Sequence, residues 1–176
     1  MKQFVSSNLS GVAMALVIGL VAMLPACVTQ KAVTVPEKAV TETVKRAVWH
    51  VDYHDPIRLG RMLTSVYNML TTYEEELADH DIRIVFLGAG IRFVTSDPLT
   101  KTPFAEDKLL KKERKVLTER LQSAMSQGIK LELCRITLDA VGLDEDKVLK
   151  GVGMVQSGVV RIVELQHKGY GYLKAD

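Results

Sequence analysis

The feature that most constrains this chain is the alternation of short apolar runs with long amphipathic segments from Ala47 onward. The run 82–87 is almost continuously apolar, as strands covered on both faces of a parallel sheet are, and 129–134 predicts another buried strand. Residues 59–77 and 106–126 instead carry apolar side chains three and four positions apart, which predicts two long helices. Strands that alternate with helices form parallel sheets through right-handed crossovers. The sequence therefore predicts an α/β protein, a three-layer α/β/α sandwich with a parallel five-stranded sheet.

Capping residues give the approximate ends of the helices. Asp55-Pro56 predicts the start of the first helix, and Gln127-Gly128 predicts the end of the second. Further along, Asp144 predicts a short helix that ends near Gly151, and Ser157 predicts a helix from Gly158 to His167 that Gly169 ends. The remaining runs predict the other strands, at 47–51, 154–155 and 170–173.

The N-terminus has the features of an export signal. The apolar run from Val12 to Leu24 is too short to span a bilayer comfortably and follows Lys2 and a polar stretch. It ends in Leu24-Pro25-Ala26-Cys27, the pattern that bacterial lipoprotein processing requires. Cys27 is therefore the predicted lipidation site, which would tie the chain to a membrane through its acyl groups.

We divide the chain on this basis into a signal peptide (1–26), a lipidated N-terminus with a tether (27–46) and one α/β domain (47–176). The predicted location is the periplasmic face of a bacterial membrane. Two alternatives remain open: cleavage by an ordinary signal peptidase, which leaves a soluble periplasmic protein, or an uncleaved anchor.

Charge and short motifs exclude several classes of function. The formal net charge is +2, and acidic and basic residues are interspersed without a basic stripe, so no nucleic-acid partner is expected. Gly88-Ala89-Gly90 lacks the rest of a dinucleotide fingerprint and predicts a tight turn, so no cofactor is expected. No Gly-x-Ser-x-Gly elbow is present.

Cys134 is the candidate reactive residue. The chain has two cysteines, and if Cys27 is lipidated, Cys134 is the remaining thiol. It stands at the carboxyl end of a predicted strand, where functional crevices of parallel sheets lie. The positive charge of Arg135 and the amides of the next helical turn would favour a thiolate. The alternative is a buried cysteine that only fills space in the core.

The second half of the sequence resembles the DsrE/DsrF-like family, which includes YchN-like proteins. The similarity covers about Ala47 to Lys174, and the order and spacing of its segments match as well as their residues. The segments that carry it are Leu133-Cys134-Arg135-Ile136-Thr137-Leu138, Gly142-Leu143, Leu149-Lys150-Gly151-Val152, Ser157-Gly158-Val159-Val160 and Leu165-Gln166-His167-Lys168-Gly169-Tyr170-Gly171-Tyr172.

The resemblance implies a parallel five-stranded fold, assembly as a homo-oligomer and sulfur carried as a persulfide on a cysteine, here Cys134. It also implies a protein that donates or accepts sulfur as a partner, and no metal or organic cofactor. A sulfur carrier of sulfurtransferase type is one expectation. The other expectation is a non-catalytic binding or scaffold lipoprotein of the same fold. The predicted export favours it, and so does Ile136, because many relatives have Asn at that position.

Histidines near the first strand offer a weaker candidate site. His50, Asp52 and His54 alternate along a strand and so share one face, which by itself explains their spacing. We therefore expect a polar strand end with Asp55 as a helix cap, and no metal site. His167 is expected to contact the last carbonyl groups of its helix.

Overall fold

A computed structural model describes residues 44–176, and the predictions for the signal peptide and Cys27 fall outside this range. The strands are β1 (Lys45–Val51), β2 (His80–Phe86), β3 (Lys130–Cys134), β4 (Gly153–Val155) and β5 (Gly171–Leu173), and the helices are α1 (Pro56–Glu75), α2 (Lys108–Ser126), α3 (Arg135–Val141) and α4 (Gly158–His167). Short 3-10 turns span Gly88–Phe93 and Glu145–Lys147. Within residues 44–176, no helix combines the length and apolarity needed to cross a membrane.

All five strands form one parallel sheet in the order β4-β3-β2-β1-β5. This confirms the predicted sheet. From β1 to β4 the chain adds each strand on the same side, and it then returns to place β5 on the other side of β1. The direction of winding therefore reverses between β1 and β5. Because the strands are parallel, their carboxyl ends meet at one edge of the sheet.

Helices α1 and α2 cover one face of the sheet and enclose the larger core. The buried side chains of α1 follow the predicted stripe, with Leu59, Met62, Leu63, Val66 and Leu70 all in this cluster. They pack with residues of α2 and with alternate strand residues that point to the same face. Burial of these side chains is the main term that stabilises the sandwich.

The opposite face carries a smaller core under α4. Its buried members are Val48, Val85, Ile162, Leu165 and Tyr170, with Leu87 packed against them. One helix of ten residues cannot cover a five-stranded face. Polar side chains therefore occupy much of the remaining sheet surface on this side.

A buried carboxylate organises the polar part of the α4 face. Glu132 is only 7% exposed. It accepts hydrogen bonds from Arg83 (2.6 Å) and from Arg161 of α4 (2.7 and 2.8 Å). Arg83 also donates to Asp81 and to the hydroxyl of Tyr170. Burial raises the pKa of Glu132, but the two guanidinium groups lower it more, so its pKa lies below the usual range and the side chain stays charged.

The predicted caps of α1 and α4 are confirmed. The Asp55 carboxylate accepts a hydrogen bond from the amide of Ile57 at 2.8 Å, and the Ser157 hydroxyl accepts one from the amide of Val160 at 3.4 Å. Both side chains satisfy amide groups that the first helical turn leaves without an intrahelical partner. Each cap therefore fixes the residue at which its helix begins.

The short helix predicted from Asp144 to near Gly151 is wrong. Only the 3-10 turn Glu145–Lys147 forms, and the Asp144 side chain makes no capping hydrogen bond. The next residues instead join the loop after β2: Val148 pairs with Thr95 in an antiparallel bridge, and the amide of Leu149 donates to Val94 at 2.8 Å. These distant partners hold the backbone extended where local sequence favours a helix.

We predict that Glu132→Ala lowers the free energy of unfolding by about 3 kcal/mol or more, because it leaves two partly buried arginines without their carboxylate. Urea unfolding followed by circular dichroism measures the change. Glu164→Ala is the matched control: Glu164 also contacts Arg161 but is exposed, so its loss should cost about 1 kcal/mol or less. Equal losses in the two variants would contradict a structural role for the Glu132 network.

Candidate functional site

Cys134 lies where strand β3 turns into helix α3. It is the last residue of β3 and occupies the N-cap position of α3. Its free thiol is on the α4 face of the sheet, and the residue is 5% exposed. The sequence-based expectation of a cysteine at the carboxyl end of a central strand is therefore met.

Hydrogen-bond donors from two helices lie near the sulfur of Cys134. They are the amide of Gly158 at the start of α4, the hydroxyl and amide of Thr137, and the amide of Ile136, which also donates to the carbonyl of Gln156 at 3.4 Å. Burial raises the pKa of the thiol, but these donors together lower it more, and the result is a pKa below the ordinary value of cysteine. Donors of this kind favour the thiolate, which is the reactive form of the residue.

Gly158 allows α4 to approach the thiol closely. A Cβ atom at position 158 would lie 3.2 Å from the Cβ of Cys134 and 3.1 Å from the Cβ of Leu87. Both distances are shorter than ordinary carbon contacts. A side chain there would push the first turn of α4 away from the sheet, so glycine is what lets its amide reach the sulfur.

Thr137 connects the thiol to the end of the neighbouring strand. Its buried hydroxyl accepts a hydrogen bond from the amide of Gly88, which follows β2, at 3.0 Å. The same side chain is among the groups that lower the pKa of the Cys134 thiol. A hydroxyl can accept one hydrogen bond and donate another, so Thr137 can serve both partners at once.

Arg135 forms an ion pair outside this group of donors. Its guanidinium donates to the carboxylate of Glu145 at 2.6 Å, and both side chains are partly exposed. The contacts to the sulfur come from backbone amides and Thr137. The thiolate-stabilising role of Arg135 thus stays a prediction.

The polar residues near the end of β1 form a second group on the same face. His50 Nδ1 lies 2.8 Å from the hydroxyl of Tyr172, and Nε2 lies 3.6 Å from Asp52 Oδ2. Lys174 donates to Asp52 at 2.8 Å. His54 is exposed beyond the strand. Within residues 44–176, no three histidine, cysteine, aspartate or glutamate side chains come together as metal ligands would.

Sequence reasoning placed Cys134 correctly but missed the residues that surround its sulfur. The sequence predicts Ser157-Gly158 only as the start of a helix and indicates no separate role for Thr137. Nothing in the sequence indicates that position 158 contacts position 134. The only local signal is glycine directly after a capping serine, where any good helix former would otherwise serve.

We predict that Gly158→Ala raises the pKa of the Cys134 thiol, because the added methyl group moves the donor amide away from the sulfur. The pH dependence of iodoacetamide alkylation, followed by mass spectrometry of the peptide that contains Cys134, measures this pKa. Gly60→Ala in α1 is the matched control, since its nearest neighbour atom would lie at an ordinary 3.6 Å. An unchanged thiol pKa in Gly158→Ala would show that the amide of α4 is not a determinant.

Comparison with known proteins identifies the family. The model of the DsrE/DsrF-like family matches residues 52–175. A protein of unknown function from Methanobacterium thermoautotrophicum has a similar structure, with 26% identity, a TM-score of 0.58 and coverage of 74% of this chain and 98% of that one. The YchN protein of E. coli has 14% identity, a TM-score of 0.48 and coverage of 74% and 99%. No curated protein matches the chain. From its fold and the extent of the family match, this chain belongs to the DsrE/DsrF-like family.

Proposed function

We propose that this protein is an exported, membrane-anchored sulfur carrier that holds sulfur as a persulfide on Cys134. The observation that carries the proposal is the position of Cys134 at the N-cap of α3 and beside the first turn of α4, where nearby amide and hydroxyl donors lower the pKa of its thiol. A thiolate at the carboxyl end of a parallel strand has both the reactivity and the position that sulfur transfer requires. Membership of a family associated with sulfur relay supports the same reading.

Sulfur transfer of this kind needs two exchange steps and no cofactor. The Cys134 thiolate attacks the outer sulfur of a donor persulfide, so that a new S–S bond forms and the S–S bond of the donor breaks. The inner sulfur of the donor leaves as a thiolate and takes the proton from the transferred sulfur, so that the donor becomes a thiol and Cys134 becomes a persulfide anion. An acceptor thiolate then attacks the outer sulfur and releases the Cys134 thiolate again.

The amide groups near the sulfur would also stabilise the negative charge of the persulfide. Its negative charge resides mainly on the outer sulfur, next to the sulfur that Gly158, Thr137 and Ile136 contact in the unmodified protein. The thiol is almost covered, and the first turn of α4 lies directly beside it. A sulfur donor therefore reaches Cys134 when the first turn of α4 moves outward. A persulfide on Cys134 would hold that turn further from the sheet.

The proposal includes lipidation of Cys27 and a place on the periplasmic face of the membrane. Its basis is the apolar run before Leu24-Pro25-Ala26-Cys27. A partner protein that supplies or accepts sulfur would then meet the domain at that surface. Assembly as a homo-oligomer is part of the same proposal, and the exposed side chains of Val159, Val160 and Val163 on α4 support it, because they offer an apolar surface for a second copy.

A non-catalytic binding or scaffold lipoprotein is the second candidate. The nearly complete burial of Cys134 favours it, since structural cysteines are buried and inert. The apolar residue Ile136, where many relatives have Asn, favours it as well. In this case Cys134→Ser would complement a deletion strain as well as the wild type does.

We predict that the full chain, treated with polysulfide and then desalted, gains one sulfur atom on the peptide that contains Cys134. Mass spectrometry with and without a reducing agent detects the gain and its reversal. Cys134→Ser should gain none, and Thr137→Val should gain sulfur more slowly because it removes a donor to the thiolate. A Cys134 that stays unmodified under these conditions would favour the scaffold function.

We predict that cells grown with labelled palmitate incorporate the label into this protein, and that Cys27→Ala abolishes it. The reason is that Cys27 is the acceptor in the lipoprotein pattern. Cys134→Ala is the matched control and should keep the label. Equal labelling of Cys27→Ala and wild type would exclude Cys27 as the anchor.

A further inference from the structure

Four polar side chains meet where β1 and β5 end, on the α4 face of the sheet. Tyr172 and Lys174 of the β5 segment contact His50 and Asp52 of the β1 segment, at 2.8 Å in both pairs. His50 stands between Tyr172 and Asp52, with Nδ1 toward the phenol and Nε2 3.6 Å from the carboxylate. We call these four residues the β1–β5 cluster. It brings together residues about 120 positions apart in the sequence.

The β1–β5 cluster lies at the point where the winding of the sheet reverses. Strands β2, β3 and β4 follow β1 on one side, and β5 lies on the other. In open α/β sheets, the crevice outside the carboxyl ends of the two strands at such a point is where ligands bind. Cys134, on β3, is two strands from β1, a distance of about 10 Å at the usual strand spacing. The β1–β5 cluster is therefore separate from Cys134, although both lie at the edge formed by the carboxyl ends of the strands.

Three groups in the cluster follow one another in the order that activates a hydroxyl in enzymes. Nucleophilic hydroxyls in enzymes are hydrogen-bonded to a base, and a third group in turn orients the base. Here the hydroxyl is that of Tyr172, the base is His50 and the orienting group is Asp52. The distance of 3.6 Å between His50 and Asp52 is longer than a hydrogen bond, so Asp52 acts on the ring through its charge.

The environment of His50 keeps its ring neutral, as a base requires. Burial lowers the pKa of His50, the charge of Asp52 raises it and that of Lys174 lowers it, and the net shift is downward. The titratable or charged groups that face the ring are Asp52, Lys174 and Tyr172, and its neighbour on β2 is Val85. His50 Nε2 is buried and makes no hydrogen bond within residues 44–176, with Asp52 Oδ2 just out of range at 3.6 Å. A buried polar atom without a hydrogen bond is costly.

The geometry points to Tyr172 as an acid–base and nucleophilic site, with His50 as its base and Asp52 as a positioning residue. Tyr172 is 42% exposed, whereas the side chain of His50 is only 14% exposed, so a substrate can approach the tyrosine while the base behind it is sheltered. The substrate class is an electrophilic or proton-donating small molecule whose reacting atom meets the phenol oxygen. This inference does not depend on the function proposed for Cys134.

Reaction with an electrophile can reveal such a site, and this reaction needs no cofactor. The phenol oxygen of Tyr172 attacks an electrophile, its proton passes to His50 Nδ1, and the leaving group departs as an anion. With phenylmethanesulfonyl fluoride, a bond forms between the phenol oxygen and the sulfonyl sulfur, the S–F bond breaks and fluoride leaves. Asp52 stabilises the imidazolium ion that results.

We test this on the full chain in detergent with phenylmethanesulfonyl fluoride, using mass spectrometry to locate and time the modification. Tyr67 is an internal control, because it is 57% exposed on α1. We expect Tyr172 to react about 100-fold faster than Tyr67, the lower range of general-base catalysis. His50→Gln should reduce the rate at Tyr172 to that at Tyr67, and Asp52→Asn should reduce it partly.

A pH profile separates this role from a merely structural tie between β1 and β5. Protonation of His50 removes the base, so the rate at Tyr172 should fall as pH falls. Because the pKa of His50 is lowered, the midpoint should lie below about 6.5, the ordinary value. Equal rates at Tyr172 and Tyr67, modification of Lys174 in preference to Tyr172, or a rate unaffected by His50→Gln would each overturn the inference.

Discussion

The contact of the first turn of α4 with the ends of β2 and β3 is the constraint on which the rest of the site depends. Gly158 allows this contact, because any side chain there would collide with Cys134 and Leu87. The same approach directs the amide of Gly158 at the sulfur and seals the thiol from solvent. The lowered pKa and the burial of the Cys134 thiol therefore both depend on the position of α4.

The helices cover the two faces of the sheet unequally, and this explains where the polar residues lie. Helices α1 and α2 enclose a large apolar core on one face, whereas α4 alone covers the other. At one end of the α4 face, Glu132 joins Arg83 and Arg161 in a buried charge network that attaches the helix to the sheet. Toward the carboxyl ends of the strands, the same face holds Cys134 and the β1–β5 cluster.

Local sequence was informative wherever the structure depends on nearby residues. The stripe of α1 and the caps at Asp55 and Ser157 involve side chains a few positions apart, and each agrees with its prediction. The helix expected after Asp144 is absent because Val148 and Leu149 bond to Thr95 and Val94, about fifty residues earlier. Hydrogen bonds to a distant loop outweigh a local preference that is weak for so short a segment.

The sequence by itself determined the alternation of strands and helices, the parallel sheet and the position of Cys134 at the end of a strand. These follow from hydrophobic periodicity and capping, which act over a few residues. Only the tertiary structure decided which groups surround that sulfur and that His50 meets Tyr172. Such contacts depend on strand order and on how closely α4 packs, and both are set by interactions between residues far apart in the chain, which leave no periodic signal in the sequence.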